Sequence, residues 1–166
     1  SKITNYIKKN YKFLNNIKVV KETKPQGTVG GIINNKHLFK KAQTIIVHNG
    51  DIITGLDYNK MLKYHYENKS LITLSIKENK VTSLHGELKI KKNKISNIEE
   101  KPTRKYFYAS GIYIIDIKLL NLFKKKINYL DMPDFIKLIL KKNIKVLPFL
   151  IYESSKEFTY ADDLRI

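Results

Sequence analysis

Apolar positions along the chain fall into two alternating rhythms, short continuous runs and helical faces. The segments IKVVKE (17–22) and TIIVHNGD (44–51) are β-branched runs that close on turn-forming residues, as buried strands do. Between them, KPQGTVGG (24–31) gathers three of the chain's 7 glycines and reads as a turn leading into a helix. In LDYNKMLKYHYENK, Tyr58, Met61, Leu62 and His65 stand at i, i+3, i+4 and i+7, one face of a helix with Asp57 as its N-cap. LITLSIKE (71–78) is the next strand, and GELKIKKNKISNIEEK (86–101) alternates on both sides of KKN, as a hairpin does. FYASGIYIID (107–116) predicts a strand that runs into a helical face made by Leu119, Leu120, Phe123 and Ile127. Met132, Phe135, Ile136, Ile139 and Leu140 mark an amphipathic helix, and IKVLPFLIY (144–152) a closing strand. No repeat or Pro-, Gly- or Ser-rich linker interrupts the order. The pattern predicts one α/β domain over residues 1–166, three-layered, with a mainly parallel sheet and an inserted β-hairpin.

Composition narrows the setting. The best apolar run, GIYIIDIKLL, is broken by Asp116 and Lys118, so no membrane span is expected, and SKITNYIKKNYKF has no secretory character. Cysteine is absent, which excludes disulfides and thiolate metal sites and makes the cytoplasm the default location. The four histidines (37, 48, 65 and 85) lack zinc-site spacing, and His65 lies on an apolar helical face, where a core role explains it. The formal charge of +17 raises a nucleic-acid reading, but all 32 basic residues except Arg104 and Arg165 are lysine. Arginine is the usual bidentate reader of bases and phosphates, and these lysines are dispersed, so a solvated basic surface without specific nucleic-acid binding is expected.

In α/β sheets, ligands bind outside the carboxyl ends of the strands. Two unusual stretches are predicted at that edge, the glycine-rich KPQGTVGG after one strand and HNGD after the next. Glycines let a backbone approach a charged or flat ligand, and Asp51 at a strand end can hold a divalent metal beside phosphates. Taken alone, each is more often a plain turn.

Taken in order, the motifs resemble the sugar-1-phosphate nucleotidyltransferases. KETKPQGTVGGI is similar to that family's E-x-x-P-L-G-T-A-G segment, and IIVHNGDIITGLD to its V-N-G-D segment. HGELKIKKNKISNIEEKP is similar to Y-G with a later I and E-K-P, and YASGIYIID to N-A-G-I-Y-V. The resemblance implies a three-layer, Rossmann-like sheet and transfer of a nucleotidyl group from a nucleoside triphosphate to a sugar 1-phosphate, releasing pyrophosphate. It places Gly27, Thr28 and Gly30 against the nucleotide. Asp51 falls at the catalytic magnesium ligand, and Glu100 and Lys101 at the sugar and its phosphate, with Gly86 and Gly111 shaping that pocket. Lys101 and Asp51 are the implied catalytic residues. Such chemistry needs positioning and charge neutralisation rather than a protein nucleophile.

The departures are specific. The family's opening glycine-rich loop, which wraps the triphosphate, has no counterpart in these residues, so the resemblance implies a fold truncated at its N-terminus and no turnover by this chain alone. Near the other end, ESSKEFTYADDL sets Ser155 at the family's Trp, Glu157 at its second metal-binding Asp and Thr159 at its Gly. Ala109 replaces a sugar-contacting Asn. Two other readings remain open: a non-catalytic remnant that binds a nucleotide sugar or a partner subunit, and a basic RNA-binding module. A missing first strand would also expose a sheet edge and favour self-association.

Overall fold

The computed structural model describes residues 2–11 and 16–158. In chain order the elements are α1 (Lys2–Asn10), α2 (Gly27–Asn34) with a 3-10 turn at Lys36–Phe39, β1 (Thr44–His48), β2 (Ile52–Thr54), α3 (Tyr58–Glu67), β3 (Ile72–Thr82), β4 (Glu87–Lys91), β5 (Lys94–Glu99), β6 (Thr103–Asp116), α4 (Ile117–Asn121), α5 (Met132–Lys141), β7 (Val146–Leu150) and β8 (Ser155–Glu157).

The central sheet has the order β1-β6-β3-β7. β6 is antiparallel to both neighbours and β3 is parallel to β7, so β1, β3 and β7 all run one way and their carboxyl ends meet at one edge. Residues 112–115 of β6 read as one apolar run because both faces of the strand are covered. Tyr113 and Ile115 join Ile72 and the apolar faces of α2, α4 and α5, including Val29, Ile33, Leu120, Phe135 and Ile139. Ile112 and Ile114 face the other way, against Leu56, Met61 of α3 and Ile151. The expected three layers are thus present, with a sheet that is mainly parallel in strand direction.

The predicted cap of α3 forms: Asp57 Oδ1 accepts from Asn59 N at 2.9 Å and Lys60 N at 3.1 Å. His65 is buried, and its Nδ1 lies 2.8 Å from Thr73 Oγ1 on β3, which ties the helix to the sheet. The hairpin turns at Lys92 and Asn93, both with positive φ (46° and 62°), the type I′ geometry that suits the twist of paired strands.

Three expectations change. Residues 17–22 form no strand and are exposed; within the described residues β1 has β6 as its neighbour, and no strand pairs with this segment. The glycine-rich stretch is not a turn before a helix: α2 begins at Gly27 and contains all three glycines. The helix after β6 stops at Asn121, short of Phe123 and Ile127. Those two still pack on the core, because the Asn34 side chain pairs with the Ile127 backbone in place of helical bonds, through Asn34 Nδ2 to Ile127 O at 2.8 Å and Ile127 N to Asn34 Oδ1 at 2.9 Å.

Candidate functional site

At the carboxyl edge of the sheet, the loop after β1 folds back over β6. Asn49 N donates to Gly111 O at 3.0 Å, and Gly111 has φ of +73°. A Cβ on Gly111 would collide with Ile52 Cδ1 and lie 2.9 Å from Asn49 Nδ2, so only glycine lets the loop approach this closely. β2 then pairs with β8, Ile52 opposite Glu157 and Thr54 opposite Ser155. Phe158 N donates to Asp51 O at 2.8 Å, which extends the pairing by one residue and sets Asp51 one step along the ribbon from Glu157.

This ribbon walls a cavity of about 100 Å³. Ile52, Ser155 and Glu157 line one side, and Lys77 with Tyr108, Ala109 and Ser110 line the other. A bulge in β3 at Ser75 shapes the second wall. There Ser75 Oγ lies 2.6 Å from Ser110 Oγ and donates to Ile112 O at 2.9 Å. Asp51 is exposed and is not on the cavity wall. Among the described residues, neither the Asp51 nor the Glu157 carboxylate has an ion-pair or hydrogen-bond partner, and no group of three or more His, Asp or Glu side chains converges as a metal cage would require. Ile52 and Glu157 share one face of the ribbon and the cavity, while Asp51, the next residue, lies off that wall, so the structure does not bring the two carboxylates together as a pair of metal ligands.

The remaining positions form two other groups. Gly86 meets Glu100 at the base of the hairpin, where a Cβ on Gly86 would come 3.0 Å from Glu100 Oε2. Glu100 and Lys101 are both exposed, and Lys101 takes φ of 43° as the chain turns into the buried Pro102. Neither lines the cavity.

Gly27, Thr28 and Gly30 sit at the start of α2, against the segment leading into α5. Gly27 (φ +80°) lies so close to the Leu130 carbonyl that a Cβ would collide with it. Val29 N and Gly30 N each donate to Leu130 O at 3.1 Å, and Thr28 N donates to Asp131 Oδ1 at 3.0 Å. In return Thr28 Oγ1 accepts from Met132 N at 2.7 Å, so the two helix N-termini cap each other. The amide of Thr28 and then the Tyr129 hydroxyl hold the Asp131 carboxyl below its ordinary range. The helix amides that would attract a phosphate are therefore satisfied within the chain. On their open side Gly27 and Thr28 face a groove of about 260 Å³ that Val20, Glu22 and Ile32 also line. A larger cavity of about 420 Å³ lies nearby, between residues 23–26 and 126–128.

Asn49, Ile52, Lys77, Tyr108, Ser110 and Asp131 are absent from the sequence-derived candidates. Asn49 lies inside the HNGD motif, Ile52 follows it, and Tyr108 and Ser110 lie inside YASGIYIID, so those motifs signalled them. Lys77 carries no signal that separates it from the other lysines.

Residues 1–149 match the nucleotidyl transferase family, and the chain belongs to it. It is 31% identical over 116 residues to a glucose-1-phosphate adenylyltransferase of Bacillus subtilis, covering 66% of this chain and 29% of that protein. The same enzyme of Bacillus licheniformis is 30% identical over 105 residues, covering 57% of this chain and 27% of that protein. The chain thus spans less than a third of the length of the curated relatives it matches. Among solved structures, HddC from Yersinia pseudotuberculosis superposes with a TM-score of 0.68 at 22% identity, over 98% of this chain and 70% of that one. HddC has also been crystallised with GMP-PN.

Proposed function

We propose that this chain forms the sugar-phosphate side of a nucleotidyltransferase that joins a nucleoside triphosphate to a sugar 1-phosphate, releasing pyrophosphate, for cytoplasmic nucleotide-sugar and polysaccharide synthesis. The observation that carries this is that three motif segments far apart in sequence, those of Asp51, Gly111 and Glu157, meet at the carboxyl edge of the sheet, where Glu157 lines a cavity.

In such a reaction an oxygen of the sugar phosphate attacks the α-phosphorus in line, and the bond to the pyrophosphate leaving group breaks. The protein's share is to align two anions and offset their charge. Asp51 is the residue that would hold magnesium, which neutralises phosphate charge when bound, whereas Glu157 stands on the cavity wall. Ser155, Tyr108 and Ser110 offer hydroxyls to the sugar. Ala109 and Ser155 stand where the family has larger polar or aromatic side chains, so this pocket makes fewer contacts of its own. Gly86, Glu100 and Lys101 at the base of the hairpin are assigned to the sugar and its phosphate, and Gly27, Thr28 and Gly30 to the nucleotide, by their motif positions.

Because the relatives are longer, binding tests the site more directly than turnover. Calorimetric titration of the chain with GTP, ATP and dTTP, with and without magnesium, is expected to show magnesium-dependent binding. Asp51→Asn should weaken it about tenfold, the scale of one charge-assisted contact, with no change in the unfolding midpoint. Failure to bind any nucleotide or any sugar 1-phosphate would remove the proposal.

A further inference from the structure

The hairpin β4–β5 makes a two-stranded sheet of its own, and every residue of β5 is exposed. Its register sorts the side chains onto two faces. Leu88 stands opposite Ile98 and Ile90 opposite Ile95, so four apolar side chains share one face. Glu87, Lys89 and Lys91 take the other face with Lys94, Asn97 and Glu99. A register shift between Lys89 and Ile90 keeps Ile95 among the four, because an unbroken ladder would set Ser96 opposite Ile90. Ser96 Oγ donates to Lys89 O at 2.9 Å across that irregularity. The polar face is tied to the body of the molecule by an ion pair from Glu87 to Arg104 of β6. The apolar face is left in solvent, with Leu88 50%, Ile90 67%, Ile95 66% and Ile98 64% exposed. A two-stranded sheet is marginal in water until something apolar packs on it. Four side chains at this exposure present roughly 400 Å² per copy, the size at which an exposed patch marks an interaction site.

Charge indicates what covers the face. Lys91, Lys92 and Lys94 gather at the turn with no carboxylate among them. The base carries Glu87, Glu99 and Glu100 against Lys101 and Arg104. Arg104 is already paired with Glu87, and neither Glu99 nor Glu100 forms a salt bridge among the described residues. A second hairpin laid face to face on the first can run tip to tip or tip to base. Tip to tip sets lysines against lysines. Tip to base sets them against carboxylates, and a two-fold axis repeats that contact at both ends. The face therefore complements itself, in its apolar centre and in its charged rim.

We propose that the apolar face of the β4–β5 hairpin is a self-association surface, on which two copies of this chain pair face to face and antiparallel in a two-fold dimer. The two apolar faces bury about 800 Å² together, below the roughly 1,200 Å² at which stable interfaces begin, so the dimer is weak and reversible. Sedimentation equilibrium of the chain from about 5 to 500 µM, in about 0.15 M salt, is expected to show one monomer–dimer equilibrium. I90T/I98T keeps β-branched residues in the strands and should raise the dissociation constant at least tenfold; I95T gives the same comparison should the double variant not fold. V81T, on the exposed ribbon of β3, should change nothing. K92D separates charge pairing from general repulsion, and aspartate tolerates the left-handed turn position. It lowers the net charge, which by itself would tighten association, yet it should weaken the dimer about threefold by facing the carboxylates of the second copy. A monomer at every concentration overturns the proposal, as does association that I90T/I98T leaves unchanged. Growth beyond the dimer overturns the closed two-fold pairing, and tighter association of K92D overturns the antiparallel arrangement.

Discussion

Gly111 shows how much of the site depends on one missing atom. Its positive φ, its carbonyl bond from Asn49 N and the room left by its missing Cβ beside Asn49 and Ile52 let the loop after β1 lie on β6, and β2–β8 follows from there. Gly111→Ala meets both penalties, a left-handed backbone and a collision with Ile52. It is expected to cost about 1–3 kcal/mol, the range for a strained backbone position. Because the strain falls on residues 49–52, urea unfolding should show the loss of stability, and magnesium-dependent nucleotide binding should fall further than stability alone explains. An alanine variant with wild-type midpoint and binding would show that the loop does not rely on this contact. At this scale the motif letters were legible: HNGD, SGIY and Glu157 do meet at one edge. Lys77 was not, since only its place on the cavity wall distinguishes it, and that is not written in the sequence.

The elements were legible where local chemistry and tertiary packing agree. Asp57, the 58–61–62–65 face and the KKN turn each specify their structure within a few residues, and each formed. The failures came where distant partners decide. IKVVKE has strand propensity but no neighbour among the described residues to pair with it. KPQGTVGG has turn composition, yet its glycines lie in α2 because Leu130, about a hundred residues later in the chain, packs against them. The joint between α2 and α5 follows the same logic, since Asp131 caps α2 and Thr28 caps α5. Thr28→Val keeps the shape and removes the hydroxyl, leaving Met132 N without its acceptor, and should cost about 1 kcal/mol, as loss of an N-cap does. Thr28→Ser should recover most of it. Equal unfolding midpoints for the valine variant and wild type would mean that the reciprocal cap contributes nothing.

For the whole molecule, the dominant facts are a net charge of +17 and an imidazole buried beneath α3. Both destabilise the fold on acidification, and they can be separated. Burial holds His65 below its ordinary pKa, with the carboxylate of Asp116 opposing that shift in part. The unfolded chain therefore binds a proton at His65 at a higher pH than the folded chain does. It follows that stability rises with pH wherever the two states differ in protonation. The contribution of His65 is complete above the unfolded value of about 6.5 and is lost as pH falls from there through the folded value. Asp131 acts in a lower window: its carboxyl is depressed, so what it contributes is kept until pH drops below the ordinary carboxylate range. Self-repulsion of the basic surface also grows as pH falls, but that part acts through solvent and is screened at high salt. Urea unfolding between pH 7.5 and 5.5 should show a falling midpoint, with a component that persists in 0.5 M salt. His65→Gln cannot take up a proton, so its remaining slope should vanish once salt screens the surface. A variant that keeps the wild-type slope in high salt would assign the acid sensitivity to groups other than His65.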